Sequence, residues 1–330
     1  MTPLAPLLQN FFSDRLMTQC RVSPHTISAY RDTFRLLLGF ASLRLKKAPC
    51  DLSLEDLQAE LVGEFLNHLE RSRKNGIRTR NARLAAIRSF FRYLAAREPT
   101  RLGMIQRVLA IPQKRFERNI VRFLTETEIQ AILEAPDTHS WIGRRDHALL
   151  RLLAQTGLRV SELTGLRCED VELGASPHVR CRGKGRKERC TPLTRQTVAV
   201  LRAWLRERAG SPSDPLFPSA RGSSLSRDAI EWLVDKYVAK AVQKLPSLQT
   251  KPVSPHVFRH SAAVQLLQAG VDRSVIALWL GHEQVETTQI YLSADLSIKE
   301  RALARLGPEV ARAPARYRPQ DTLLAFLQGL

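Results

Sequence analysis

One short stretch, HVRCRGKGRKERCTPL at residues 178–193, interrupts a chain that otherwise reads as helices set off by caps and glycine stops. Two short runs flank Gly183-Lys184-Gly185, so the spacing predicts a β-hairpin with a glycine turn. The rest follows a helical period. SPHTISAYRDTFRLLLGF begins with Ser23 as N-cap and Pro24 at the first helical position. SLEDLQAELVGEFLNHLE opens with Ser53 and Asp56, and LTETEIQAILEA with Thr125 and Glu128, each spaced as a capping box. RRDHALLRLLAQTG stops at Gly157, HVFRHSAAVQLLQAG at Gly270 and DRSVIALWLG at Gly281. TRQTVAVLRAWLRERA and SRDAIEWLVDKYVAKAV are further helices. The expected class is mainly α with a small β-hairpin or sheet (α+β), and 330 residues suffice for two compact domains.

RSRKNGIRTRNARLAAIRSFFRYLAAR carries Leu84, Ile87, Phe91 and Leu94 at helical spacing, a buried stripe. Arg80, Arg83, Arg88, Arg92 and Arg97 are read as lying off it. With Arg71, Arg73, Lys74 and Arg78 nearby, these form an expected phosphate-contacting face. The totals agree: Lys+Arg 51 against Asp+Glu 32 leaves a net charge of +19. Such an excess repels itself in the folded state and points to a polyanionic partner, nucleic acid first. The start, MTPLAPLLQNFFSDRLM, lacks the basic leader of a signal peptide, and no run approaches the ~18 apolar residues of a membrane span. Five scattered cysteines without a CxxC pair suit a reducing cytoplasm, although Cys181 and Cys190 are placed to face each other across the hairpin. No membrane partner is expected.

HVFRH, residues 256–260, poses the chemical question. His256 and His260 are four apart on one helical face, as a zinc pair would be. Val257 stands where a zinc protease needs Glu, Arg259 would repel a dication, and no third ligand is evident. An anion suits the same atoms better, since a guanidinium grips two phosphate oxygens while an imidazole transfers protons near neutral pH. Neither metal nor cofactor is expected.

Four further motifs complete a set: TGLRVSEL with Arg159, GKGRKER with Lys184, LGH with His282, and Tyr291 nine residues after that histidine. In this combination and order the chain resembles the tyrosine recombinases, meaning Xer-type recombinases, lambda-type integrases and Cre. The resemblance is strongest over residues 123–300. It implies a catalytic set of Arg159, Lys184, His256, Arg259, His282 and Tyr291, with Glu162 supporting the arginine. Two guanidiniums suit the charge that phosphoryl transfer develops on the nonbridging oxygens. Tyr291 is then the nucleophile, His256 its base, Lys184 the proton donor to the 5′ oxygen, and His282 a hydrogen-bond donor to phosphate. The product would be a 3′-phosphotyrosyl bond, needing neither ATP nor metal.

The resemblance also implies organisation. A helical core-type DNA-binding domain is expected over residues 1–105, a linker over 106–122, a catalytic domain over 123–308, and a tail over 309–330 that docks on a neighbouring protomer. The expected partners are double-stranded DNA with specific recombination sites, other copies of the chain in a tetramer, and a second recombinase as a further candidate. The expected location is the cytoplasm, on the nucleoid. An integrase or transposase of a mobile element is the expected role. The alternatives are Xer-type resolution of chromosome dimers, a type IB topoisomerase and an inactive DNA-binding relative.

Overall fold

The computed structural model describes residues 2–116, 122–183 and 188–281, and the chain divides into two compact units, Met1–Arg118 and Asn119–Leu330. The first is all helical. Helix α1 (Leu4–Asn10) runs into a wider π-type helix, Phe11–Gln19, whose end is marked by Cys20 N–H donating to Arg15 O at 2.9 Å. Helix α2 (Pro24–Leu45) begins as expected, with the Ser23 hydroxyl accepting from Thr26 N–H. The Ser53 signal is real but misplaced in scale. Asp56 accepts from the backbone N–H of Ser53 at 2.8 Å and from its hydroxyl at 3.0 Å. This pair closes a single 3₁₀ turn, Leu54–Asp56, and helix α3 (Ala59–Arg71) starts three residues later.

Helix α4 (Ile77–Ala95) buries the expected stripe completely, with Leu84, Ile87, Phe91 and Leu94 all at 0% exposure. Phe11, Phe34 and Phe90 meet edge to face beside it, with ring centroids 5.3–6.3 Å apart, a geometry aromatic pairs favour. Helix α5 (Leu102–Ala110) corrects the expected linker. Its Ile105 and Val108 are fully buried in this same core, so residues 106–110 belong to the helical unit. Pro112 and the basic run had masked a short helix whose apolar residues pack at i, i+3.

The second unit opens with α6 (Glu126–Leu133). Its capping box forms as expected, Glu128 N–H donating to the Thr125 hydroxyl and Thr125 N–H to the Glu128 carboxylate. Then come α7 (Trp141–Thr156), α8 (Val160–Gly165) and the strands β1 (Val171–Glu172), β2 (His178–Arg182) and β3 (Glu188–Pro192). They form one antiparallel sheet in the order β1-β2-β3, one strand more than the hairpin the sequence announces. Among the described residues, helices α9 (Arg195–Arg208), α10 (Arg227–Val242), α11 (Pro255–Gln268) and α12 (Arg273–Leu280) follow.

Hairpin register corrects the cysteine expectation. Cys181 pairs with Arg189 and Cys190 with Arg180, so Cys181 lies on the buried face and Cys190 on the exposed one. The same alternation turns Arg189 inward. Among the described residues no helix is long and apolar enough to cross a membrane.

Candidate active site

Two helix ends make the site. Helix α7 terminates at Gly157, which adopts φ +61° and releases the chain directly into Leu158 and Arg159. A Cβ at Gly157 would lie 2.9 Å from Leu280 and 3.3 Å from Ala262, so only glycine lets α7 end this close to α11 and α12. Helix α12 ends the same way at Gly281, φ +65°.

The carbonyls left open at those ends collect arginines. Arg259, 2% exposed on α11, donates through Nη1 to Gly157 O at 2.8 Å and through Nη2 to Leu280 O at 2.5 Å. Arg159 donates through Nη2 to Gly281 O at 2.9 Å. Arg189, on β3, donates through Nε to Trp279 O at 3.0 Å. Three consecutive carbonyls at the C-terminus of α12 therefore hold three guanidiniums, where the helix dipole favours positive charge. Arg159 and Arg259, far apart in sequence, hang from adjacent residues.

Glu162 joins two of the three. Its buried carboxylate accepts from Arg159 Nη1 at 2.9 Å, Arg159 N–H at 2.8 Å, and Arg189 Nη1 and Nη2 at 2.8 Å each. Burial alone would raise its pKa, but the Arg189 hydrogen bonds, the backbone N–H of Arg159 and both positive charges outweigh that and hold it below the usual carboxylate range. Sequence reasoning found Glu162 and gave no role to Arg189, the last residue of GKGRKER. The signal was present in the period-two alternation of β3, which sets Arg189 opposite the apolar-side Cys181.

His256 lies one turn before Arg259 on α11, its edge open to solvent. The crowding of surrounding atoms, then the charges of Arg259, Arg159 and Arg227, hold its imidazole below the ordinary value, so it is a neutral base at pH 7. His260 packs against it edge to face, ring centroids 4.6 Å apart. Burial, then His256 and Arg259, push the pKa of His260 down to about 4. Among the described residues no cluster of three or more His, Cys, Asp or Glu side chains is arranged to hold a metal ion.

Arg159, Glu162, His256 and Arg259 are thus brought into one neighbourhood, while Lys184, His282 and Tyr291 lie outside the described residues, as does the tail at 309–330. Lys187, the second lysine of GKGRKER, is outside them too. Lys251 is committed elsewhere, donating to Glu128 Oε2 at 2.7 Å and Phe123 O at 3.3 Å.

In the first unit Arg71, Arg73, Lys74, Arg78 and Arg92 are exposed. Arg80 must be withdrawn from that face. It is 6% exposed and donates to Pro112 O and the Asn81 side chain, both at 3.2 Å. Arg83 donates to Ala29 O at 3.0 Å and the Thr33 hydroxyl at 2.9 Å, and Arg88 donates to Ile111 O. The reason is positional. Arg80 stands four residues before Leu84, and Arg83 four before Ile87, so both border the buried stripe rather than lying off it.

Residues 122–297 match the model of the phage integrase family, and residues 9–98 match that of the phage integrase N-terminal SAM-like domain. The chain belongs to the phage integrase family. A Sinorhizobium fredii protein with the provisional name integrase/recombinase is 54% identical over 99% of this chain and 98% of its own length. The tyrosine recombinase XerD of Pseudomonas putida is 35% identical over 87% of this chain and 92% of its own. The integrase of the transposon Tn1549, solved with circular intermediate DNA, is similar in fold at TM-score 0.69 and 16% identity, over 92% of this chain and 99% of that one. The chain is accordingly an enzyme of the tyrosine recombinase class, which exchanges DNA strands at specific sites.

Proposed function

We propose that the chain cuts and rejoins duplex DNA through a 3′-phosphotyrosyl bond to Tyr291, as the recombinase of a mobile element. The observation that carries the catalytic part is the hanging of Arg159 and Arg259 from Gly281 O and Leu280 O, immediately before His282 in the chain. Two guanidiniums so fixed bind one phosphodiester and stabilise the charge that grows on its nonbridging oxygens. The Tyr291 oxygen attacks phosphorus, an O–P bond forms, and the bond from phosphorus to the 5′ oxygen breaks. The phenol proton goes to His256, which is neutral and able to receive it. Lys184 protonates the departing 5′ oxygen, and His282 donates a hydrogen bond to the phosphate. One phosphoester replaces another, so the reverse step rejoins strands without an added energy source.

Duplex DNA is bound through phosphate contacts, with Arg71, Arg73, Lys74, Arg78 and Arg92 of the first unit as the exposed cations. Recombination proceeds in a tetramer on paired sites, with the 309–330 tail docking between protomers. The name of the Sinorhizobium fredii relative supports the mobile-element role. The XerD relative favours a second reading, chromosome-dimer resolution. Assaying the protein on the terminal repeats of the surrounding element and on a chromosomal terminus site separates the two.

The catalytic reading is tested with a nicked duplex that traps the cleaved state. The wild-type chain is expected to give a protein–DNA adduct that survives denaturation. Tyr291→Phe should bind with unchanged affinity and give none, and an adduct persisting in that variant rules out this nucleophile.

A further inference from the structure

Arg189 belongs to none of the roles assigned above, yet its side chain is only 11% exposed and every nitrogen of its guanidinium is engaged inside the site. It forms a parallel, two-bond fork on Glu162 and a third bond to Trp279 O. The bridge Arg189–Glu162–Arg159 therefore ties strand β3, the first turn of α8 and the end of α12 at one carboxylate. Charge gives it a purpose. Glu162 and Arg159 alone would be a neutral pair, with the guanidinium drawn to the buried carboxylate rather than to a phosphate. Arg189 supplies the second positive charge, so the three groups together keep a net +1 facing the substrate. Four hydrogen bonds also saturate the Glu162 oxygens, which fixes Arg159 Nη1 against Glu162 and Nη2 against Gly281.

We propose that Arg189 is a positioning residue for strand cleavage, acting through Glu162 to hold Arg159 in place and to keep its charge available to the scissile phosphate. This rests on the reading of Arg159 as a phosphate-binding catalytic group. Arg189 touches no substrate. Its loss slows chemistry by leaving the Glu162 carboxylate to neutralise Arg159 alone, and neutralising Glu162 relieves that loss. A residue that merely supports the fold would show no such relief.

The test is single-turnover cleavage of the nicked duplex by the full chain, read beside DNA affinity and the thermal transition. Arg189→Gln is expected to cleave about 10–100-fold more slowly, the scale of a small displacement of a catalytic group. Its DNA affinity should remain within about twofold of wild type, because guanidinium loss away from the phosphates leaves ion release unchanged. Adding Glu162→Gln to Arg189→Gln should recover roughly tenfold in rate, the coupling expected of residues in one charge network. Arg189→Lys keeps the charge without the fork, and should fall about 3–10-fold below wild type. Wild-type cleavage by Arg189→Gln, or a double variant no faster than Arg189→Gln alone, overturns the proposal. Should Arg189→Gln fail to fold, Arg189→Lys decides by itself, and a wild-type rate there is the contradicting result. Arg159→Ala in the same assay separates the two levels. If it cleaves normally, the catalytic reading of Arg159 fails. If it is inactive while Arg189→Gln is normal, only the positioning proposal fails.

Discussion

His260 sits one turn beyond His256, on the same helical face, and is the more strongly perturbed of the pair. Its imidazole is neutral in the folded chain down to about pH 4, because burial and then the neighbouring His256 and Arg259 oppose a charge there. In the unfolded chain it takes a proton near the ordinary imidazole value of 6.5. Between these values the unfolded state binds more protons, so stability rises with pH in that window and is lost as pH falls from 6.5 towards 4. The thermal midpoint should drop over this range, and His260→Asn should flatten the profile. An unchanged slope would mean that His260 is not held neutral. Glu162 adds to the loss at lower pH. Its folded pKa is depressed, so its contribution is complete above the unfolded glutamate value of about 4.3 and disappears as pH falls through the folded one. At this scale the sequence was legible where chemistry alone identifies a residue. His256 and Arg259 stand three apart and Arg159 follows a glycine stop, and it is their place in the motif set that singles them out. Arg189 does not, because its role depends on a register across the hairpin and on partners 27 and 90 residues away.

At the scale of elements, glycine stops and N-caps were read almost without loss, since each depends on a few neighbouring residues. Gly157, Gly270 and Gly281 all have positive φ, and the side chains of Ser23 and Thr125 cap the helices they precede. What failed was any inference about length or partner. The Ser53 cap starts a turn and not a helix, α5 hides in the expected linker, and β1 is too short to signal itself. The glycines give an internal comparison. Gly270 has φ +84° and open space around a built Cβ, whereas the same atom at Gly157 meets Leu280 at 2.9 Å. Gly270→Ala should cost about 1 kcal/mol, the backbone strain alone. Gly157→Ala should cost about 2–4 kcal/mol, because overpacking adds to that strain. It should also slow cleavage, since Gly157 O anchors Arg259. Denaturant midpoints for the two variants check this, and equal losses would show that the close approach of α7 to α12 is not tight.

For the whole molecule, the net charge of +19 implies binding dominated by ion release. Log affinity for duplex DNA should fall linearly with log salt, and removing any one of Arg71, Arg73, Lys74 or Arg78 should lessen the slope by about 0.9. Arg80→Ala should leave the slope alone and lower stability by about 2–3 kcal/mol, since it removes hydrogen bonds from a buried charged group. If Arg80→Ala changed the slope as much as Arg78→Ala, the division between structural and phosphate-facing arginines would be wrong. The burial of Arg80 was obscured in the sequence by charge itself, which draws an arginine towards a surface reading even at a position bordering the buried stripe. The family was legible from six side chains because they occur in combination and in the family's order, whereas any one of them alone is common by chance. The most direct test of that chemistry is peptide mapping by mass spectrometry of the adduct trapped on nicked DNA. The nucleotide is expected on the peptide containing Tyr291, attached through its 3′ phosphate. A nucleotide found on any other residue, or joined through a 5′ phosphate, would contradict the account.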